Sequence, residues 1–340
     1  MLSAETLQAP VARPRRRRTV HASTQEAAGV RSGPRISVII PTQRRPQGLE
    51  TAARSILSQT GIDPERLELV VVDNDLIPSA HALVMQLSLE APFVVAYVHE
   101  PTPGVANARN AAMGRATGEL IAFLDDDEEA PQGWLAALVA AQSQFGADVV
   151  FGPVHGRAPD GIDQHRAYLE WFFSRIGPAE SGSIESYYGC GCSLLRRAAL
   201  PDAERPFAEA RNHIGGEDDL LFGQMRARGA RFAWASEAWV WEDPVPARLS
   251  LDYTIPRAFA YGQGPSVACA AQSPPDRLGI ARWMAVGLVQ ALAFGVLALV
   301  RRMFGAADYA FALDRAARGL GKTLWWGPFK IAFYGLRPAP

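Results

Sequence analysis

Residues 118 to 134 read GELIAFLDDDEEAPQGW, an apolar run that stops at Asp125, Asp126 and Asp127 with Glu128 and Glu129 behind them. Neighbouring carboxylates repel one another, so such a knot is unfavourable unless a cation sits among them. Their hard oxygens suit Mg²⁺ or Mn²⁺, ions that keep coordination positions open for water or phosphate oxygens. A metal held by one or two protein carboxylates shares its remaining positions with a substrate diphosphate, which points to metal-assisted chemistry on a phosphate-bearing substrate. A solvated acidic loop would be written with the same residues.

A second acidic centre follows in GGEDDLLFGQMRARG, where Gly215 and Gly216 precede Glu217, Asp218 and Asp219 at the head of an amphipathic stretch running to about Arg228. Carboxylates in a first helical turn are ordinary partners of the helix dipole. The functional alternative is a general base, a carboxylate aimed into a crevice where it can take the proton of an attacking hydroxyl. Neither GxxxxGK[ST] nor GxGxxG follows the first strand, so NTPase and dinucleotide readings lose support. A cation is then the natural way to neutralise a diphosphate.

The elements that must position these groups read as alternating strands and helices. Ile36 to Ile40, Leu67 to Asp73, Phe93 to His99 and Glu119 to Leu124 are apolar, β-branched runs, and helical patterns occupy 48 to 59 and 104 to 116. Strands this continuously apolar are covered on both faces, and the βαβα order predicts a parallel sheet of nucleotide-binding type. In open sheets of this kind ligands sit beyond the carboxyl ends of the strands. Thr42, Asp73 and Asp125 to Asp127 all fall at strand ends and converge on one edge.

The chain has 340 residues, 48% of them hydrophobic, and a formal charge of −1, which argues against disorder and against coating a nucleic acid. Cys190, Cys192 and Cys269 form no CxxC pair, so neither a zinc site nor a disulfide framework is expected. The ends differ from the middle. Residues 1–34 carry RPRRRR (Arg13 to Arg18) and read as a flexible basic tail. From Trp283 to Val300 only Gln290 interrupts an apolar run closed by Arg301 and Arg302, at the short limit for crossing a bilayer. Leu324 to Leu336 mixes aromatic residues with Lys330, an interfacial composition. A membrane surface is the expected partner of this region, with a buried core helix as the other reading of the first run.

The ordered set ISVIIPTQRR, LVVVDND, PGVANARNAAMGRATGELIAFLDDDEEAPQGWL and GGEDDLLFGQMRARG resembles the family 2 glycosyltransferases of GT-A fold over roughly residues 35 to 245. The following WVWEDPVPARLSLDYTIPRAFAYGQGPS resembles bacterial exopolysaccharide enzymes of the succinoglycan ExoM type. The resemblance implies an α/β, Rossmann-like, mostly parallel sheet flanked by helices. The expected division is a catalytic domain over 35–265 and a C-terminal helical, membrane-associating region over 266–340. It implies that Thr42 and Asp73 contact the base and ribose of a nucleotide sugar, that Arg109 lines the nucleotide pocket, and that Asp125 and Asp127, with Asp126 between them, form the DXD pair binding Mn²⁺ or Mg²⁺. Asp218 matches the family's catalytic base, with Glu217 beside it, in an inverting reaction without a covalent enzyme intermediate.

Three departures from the family pattern stand out. Trp241, Glu242 and Asp243 occupy a stretch where many relatives carry a metal-binding His, and Glu242 is the expected substitute. Cys192 stands where many relatives have Asn near the sugar. No QxxRW motif appears in the C-terminal third, which favours a single addition over polymerisation. Tyr188 and Trp241 could stack on sugar rings, although aromatic residues beside strands more often belong to a core. The resulting expectation is a non-processive enzyme at the cytoplasmic face of the inner membrane, moving a sugar from a nucleotide donor, a UDP-sugar first, to a lipid-linked saccharide. The rival readings are a nucleotidyltransferase and a catalytically silent nucleotide-sugar-binding scaffold.

Overall fold

A computed structural model describes residues 33–212 and 215–331. The Arg13 to Arg18 segment and the end of the aromatic patch, 332–336, lie outside the described residues. The first half alternates as the apolar pattern predicts: β1 (Ile36–Thr42), α1 (Pro46–Leu57), β2 (Leu67–Asp73), α2 (His81–Glu90), β3 (Val94–His99), α3 (Val105–Arg115) and β4 (Leu120–Phe123). The helix α1 starts at a proline, whose missing N–H is no loss in a first turn, and buries Leu49, Ala52, Ala53 and Ile56 along one stripe.

Strands β3, β2, β1 and β4 lie side by side and parallel. Alternate residues of β1 serve opposite faces: Val38 and Ile40 pack with α1, while Ile39 packs with Ala112 and Met113 of α3. Burial on both faces explains the unbroken apolar run. Within β2, Glu68 is buried, and its Oε1 accepts from Ser37 Oγ at 2.5 Å and from the Thr117 N–H at 2.6 Å. Those bonds, with Arg115 nearby, outweigh the burial that opposes its charge and hold its pKa below the usual value.

The chain then builds a second half that strand periodicity alone does not order: β5 (Glu128–Glu129), α4 (Trp134–Phe145), β6 (Val149–Phe151), β7 (Val154–Gly156), α5 (Arg166–Phe173), β8 (Gly182–Ile184), β9 (Ser193–Arg196), α6 (Glu217–Ala227), β10 (Phe232–Trp234) and β11 (Val240–Glu242). Four of these strands extend the sheet in the order β4-β9-β6-β10-β8, with β9 antiparallel to both neighbours and β8 antiparallel at the edge. A small sheet, β5-β11-β7, stands apart and sets Glu242 directly opposite Glu128. Three helices follow: α7 (Leu251–Ala270), α8 (Arg277–Met303) and α9 (Tyr309–Thr323). Among the described residues α8 alone is long and apolar enough to cross a bilayer by length and composition.

Candidate active site

A cavity of about 730 Å³ opens beyond the carboxyl ends of β1, β2 and β4, and its wall includes Thr42, Asn74, Asp125, Asp126, Asp127 and Asp218. The three aspartates leave β4 in a tight turn closed by the Glu128 N–H donating to the Asp125 carbonyl at 3.0 Å. Pairing of β5 with β11 pins this turn, and the Asp243 N–H donates to the Asp127 carbonyl at 2.7 Å.

Each acidic side chain has a different environment. Asp126 is buried; it accepts from Thr42 Oγ1 at 2.8 Å and from Arg45 Nη1 at 2.8 Å. Burial first, with Asp127 next to it, pushes its pKa up to about 6 against the pull of Arg45. Asp127 takes a second bond from the same Arg45 nitrogen at 2.7 Å, with Arg248 3.6 Å away. Asp125 faces Arg109 Nη2 at 3.5 Å, and its pKa is raised by burial and then by Asp127. Glu242 is raised to about 8 by burial and by Asp127 and Asp125. Glu128 rises too, through burial and Asp125.

A cluster in which burial and mutual repulsion push several carboxylates upward is short of positive charge. A divalent cation fits that deficit, and Asp125, Asp127 and Glu242 are all hard oxygen donors for it. Among the described residues no three His, Cys, Asp or Glu side chains already form a metal cage. Arg45 bridges Asp126 and Asp127, where a cation would compete for the same oxygens.

The second acidic centre arrives at the same cavity by backbone geometry. Gly215 and Gly216 both hold φ near +75°, a region glycine enters at no steric cost, and they turn the chain into α6. Asp218, half buried, lines the cavity; its Oδ2 accepts the Cys190 N–H at 3.2 Å and its Oδ1 the Asp219 N–H at 2.9 Å. Glu217 points inward and takes a 2.5 Å bond from Arg109 Nη1. Arg109 is 5% exposed and lies against the rings of Phe123 and Phe207, so it is not a solvent-facing helical arginine. Burial works against its charge, but the surrounding carboxylates outweigh it and raise its pKa. The carboxyl of Glu217 is raised by burial even with Arg109 in contact, so the surplus in this cluster is negative.

Other expected residues sit elsewhere. Asp73 is fully buried outside the cavity wall, where it accepts from the Ala80 N–H at 2.7 Å and Tyr97 Oη at 3.0 Å and so shapes the loop after β2. Asn74 faces the cavity in its place. Glu242 lies behind the aspartates rather than on the wall. Cys192 is fully buried: its Sγ donates to the Ala238 carbonyl at 3.1 Å and accepts from Trp134 Nε1, and burial pushes its thiol up to about 12. Tyr188 packs on Phe151 and Trp234, and Trp241 on Trp239 and His155.

The cavity also contains residues that the motifs do not mark. Arg175 donates to the carbonyls of Gly189 and Gly191, which sets the segment carrying Cys190 beside Asp218. Gly191 leaves room there for two carboxylates, since a Cβ would stand 2.7 Å from both Asp125 Oδ2 and Glu128 Oε1 and would push them aside. Asn212 reaches back across the chain, its Oδ1 accepting the Ala106 and Asn107 N–H groups at the start of α3. Arg248 closes the far side near Asp127. Arg45, the residue immediately before α1 and close to the end of β1, sits where sequence position could have suggested it.

The Glycosyl transferase family 2 model matches residues 37–202, from β1 to just past β9. The succinoglycan biosynthesis protein ExoM of Rhizobium meliloti is 39% identical over 230 residues, which cover 67% of this chain and 73% of that protein. The chain belongs to glycosyl transferase family 2. Another relative, the GalNAc(5)-diNAcBac-PP-undecaprenol β-1,3-glucosyltransferase of Campylobacter jejuni, is 32% identical over 120 residues, 35% of this chain and 38% of that one. Among solved structures, the mannosyltransferase PcManGT of Pyrobaculum calidifontis, in complex with GDP-Man and Mn²⁺, superposes with a TM-score of 0.55 at 23% identity. That likeness covers 87% of this chain and 88% of the other, and makes the fold GT-A-like with a C-terminal helical region.

Proposed function

We propose that this glycosyltransferase moves one sugar, with inversion, from a nucleotide diphosphate donor to a hydroxyl of a lipid-linked saccharide, in exopolysaccharide or cell-envelope glycan synthesis at the cytoplasmic face of the membrane. The observation that carries the reading is one cavity walled by Thr42, Asn74 and the Asp125 to Asp127 turn on one side and by Asp218 on the other. Names of relatives support the pathway and the acceptor class: one acts in succinoglycan biosynthesis, another on an undecaprenol-linked glycan. The fold neighbour's GDP-Man and Mn²⁺ support a nucleotide sugar and a divalent cation. They leave the base open, so UDP is one candidate among nucleotides.

In this reading Asp218 accepts the proton of the acceptor hydroxyl as its oxygen bonds to the anomeric carbon and the bond to the diphosphate oxygen breaks. The half-buried carboxylate keeps one oxygen on the Cys190 N–H, which orients the other. Arg109 and Glu217 hold the head of α6 against α3, and Arg45 and Arg248 supply positive charge beside the leaving group. Asp125 and Asp127, with Glu242 behind them, would hold Mn²⁺ or Mg²⁺, which when bound neutralises the diphosphate.

The test is Mn²⁺-dependent release of nucleoside diphosphate from a panel of nucleotide sugars, with membrane lipid extract as acceptor, for wild type, Asp127→Ala and Asp218→Asn. Release with one donor, lost in both variants, is the expected result. Pyrophosphate release instead would identify nucleotidyl transfer, and donor binding without release in any extract would favour a silent scaffold.

A further inference from the structure

The apolar helix α8 invites the reading of a membrane span, but its neighbours argue otherwise. The antiparallel α9 packs along the middle of α8, between Met284 and Arg301. Thr323 Oγ1 donates to the Met284 carbonyl at 3.1 Å near one end, and Arg301 pairs with Asp308 at 2.7 Å near the other. Between them Gly287 and Gly319 let the two backbones touch.

At the midpoint of α8 the environment is polar and charged. Gln290 donates to the Arg315 carbonyl at 2.7 Å and accepts from Lys322 Nζ at 3.1 Å, and the Arg315 guanidinium lies 5.1 Å from the Phe294 ring centre. The helix α9 is in turn fastened to the catalytic body. Asp314, fully buried, pairs with Arg318 and accepts from Tyr168 of α5, Phe311 packs on Tyr168 and Trp171, and Gly321 abuts the Phe259 carbonyl of α7. At 15 residues α9 is about 22 Å long, short of the roughly 30 Å hydrocarbon layer. A spanning α8 would therefore draw Arg315, Lys322 and the flank of α5 into the bilayer, where charged side chains are strongly disfavoured.

Among the described residues the opposite side of α8 has no such partner. Val289, Leu292, Val296 and Leu299 are each 60% exposed or more, and together with Ala285 and Val300 they form a stripe free of charge between Arg282 and Arg301. At 100° per residue these positions fall within an arc of about 100°, under a third of the helix circumference. Soluble proteins rarely leave a continuous apolar stripe of this length in water.

We propose that α8 lies in the plane of the membrane surface as an interfacial helix, its apolar stripe down among the acyl chains and α9 above it on the aqueous side. The occupant of the stripe is a lipid bilayer with anionic headgroups, since Arg277 and Arg282 at one end and Arg301 and Arg302 at the other sit at headgroup level when the helix lies flat. This rests on the membrane-surface reading above and adds the geometry. The helix α7 starts three residues after Arg248, so the anchored hairpin and the cavity wall are joined by one continuous segment.

Full-length protein with single cysteines at Ala285, Val289, Val296 or Val300, labelled with a small fluorophore, tests the geometry on phosphatidylcholine vesicles with and without phosphatidylglycerol. Lipids brominated at shallow or deep acyl positions serve as quenchers, and unlabelled-site controls correct for the native thiols, all of which are buried. The expected result is equal, shallow depth at all four sites, with binding enhanced by phosphatidylglycerol. A profile deepest at Val289 and Val296 and shallow at the ends would overturn the in-plane helix while leaving membrane attachment standing. No quenching and no vesicle flotation in either lipid would remove both, and self-association through this face in the absence of vesicles would identify a second copy as the occupant. A Val289→Glu/Val296→Glu variant should lose vesicle affinity roughly a hundredfold, about tenfold for each valine withdrawn from the apolar phase. Its turnover of a soluble acceptor should be unchanged, which separates lost docking from lost folding.

Discussion

Replacing Arg109 by Met probes how the two acidic centres are joined. Arg109 and Glu217 have side chains 5% and 6% exposed and meet at 2.5 Å. Removing the guanidinium leaves a buried carboxylate facing Asp125 and Asp218 with no counter-charge, and losing one partner of a buried pair costs about 3 to 5 kcal/mol. Against a total of about 5 to 15 kcal/mol for a domain, that is roughly a fifth of the stability or more. The pH dependence has a definite sign. Arg109 is the group that lowers the pKa of Glu217, so in the variant that pKa rises further above its unfolded value of about 4.3. A raised acid pKa means that the ionised form is the destabilising one; the deficit is small below about pH 4.3 and grows as pH climbs to the folded pKa. Adding Glu217→Gln removes the orphaned charge, so the double variant should recover most of the loss. Urea unfolding midpoints of the full chain at pH 5 and pH 8 measure all of this. A single-variant loss under about 1 kcal/mol, or a double variant as unstable as the two singles summed, would refute a pair that matters to the fold.

Further predictions concern other parts of the site and its support. Glu68→Gln should cost about 1 to 2 kcal/mol at pH 7 through the lost charge-assisted bonds from Ser37 and Thr117. Because the folded pKa of Glu68 lies below its unfolded value, the wild-type advantage is present above about pH 4.3 and vanishes as pH falls through the folded value, which urea titrations across pH 2 to 7 will trace. Gly191→Ala places a methyl group 2.7 Å from the carboxylate ends of Asp125 and Glu128, which must swing aside; it should cost about 1 kcal/mol or less of stability with a larger fractional loss of turnover, read by thermal melting beside the release assay. Mn²⁺ with a nucleoside diphosphate at one hundred times its dissociation constant should add about 2.7 kcal/mol to unfolding, chelator should remove the gain, and Asp127→Ala should abolish it. An equal gain in Asp127→Ala would place the cation elsewhere.

Much of this was legible along the chain because it is a local property. The parallel half of the sheet follows from apolar runs whose residues pack on both faces, and β1, β2 and β4 deliver Thr42 and the aspartate turn to one edge by topology alone. The position of Asp218 in a first helical turn was likewise readable from GGEDD, because two glycines at positive φ force the turn that exposes it. Asp73 was harder. A strand-end carboxylate can face the ligand or brace its own loop, and only the fold shows that Asp73 accepts from the N–H of Ala80 and the hydroxyl of Tyr97.

What the sequence determined by itself, then, is the set of chemical groups and the strand ends that carry them, since hydrophobic period and turn chemistry act over a few residues. Tertiary structure decided which cations meet them. Arg109 reaches Glu217 across 108 positions, Arg45 reaches Asp126 and Asp127 across 81 and 82, and Arg248 approaches Asp127 from just before α7. It also decided the setting of α8, whose composition suits a span but whose middle is held against Lys322 and Arg315. Such pairings are fixed by packing of helices onto both faces of one sheet, and a long side chain finds its partner only when that packing closes the distance.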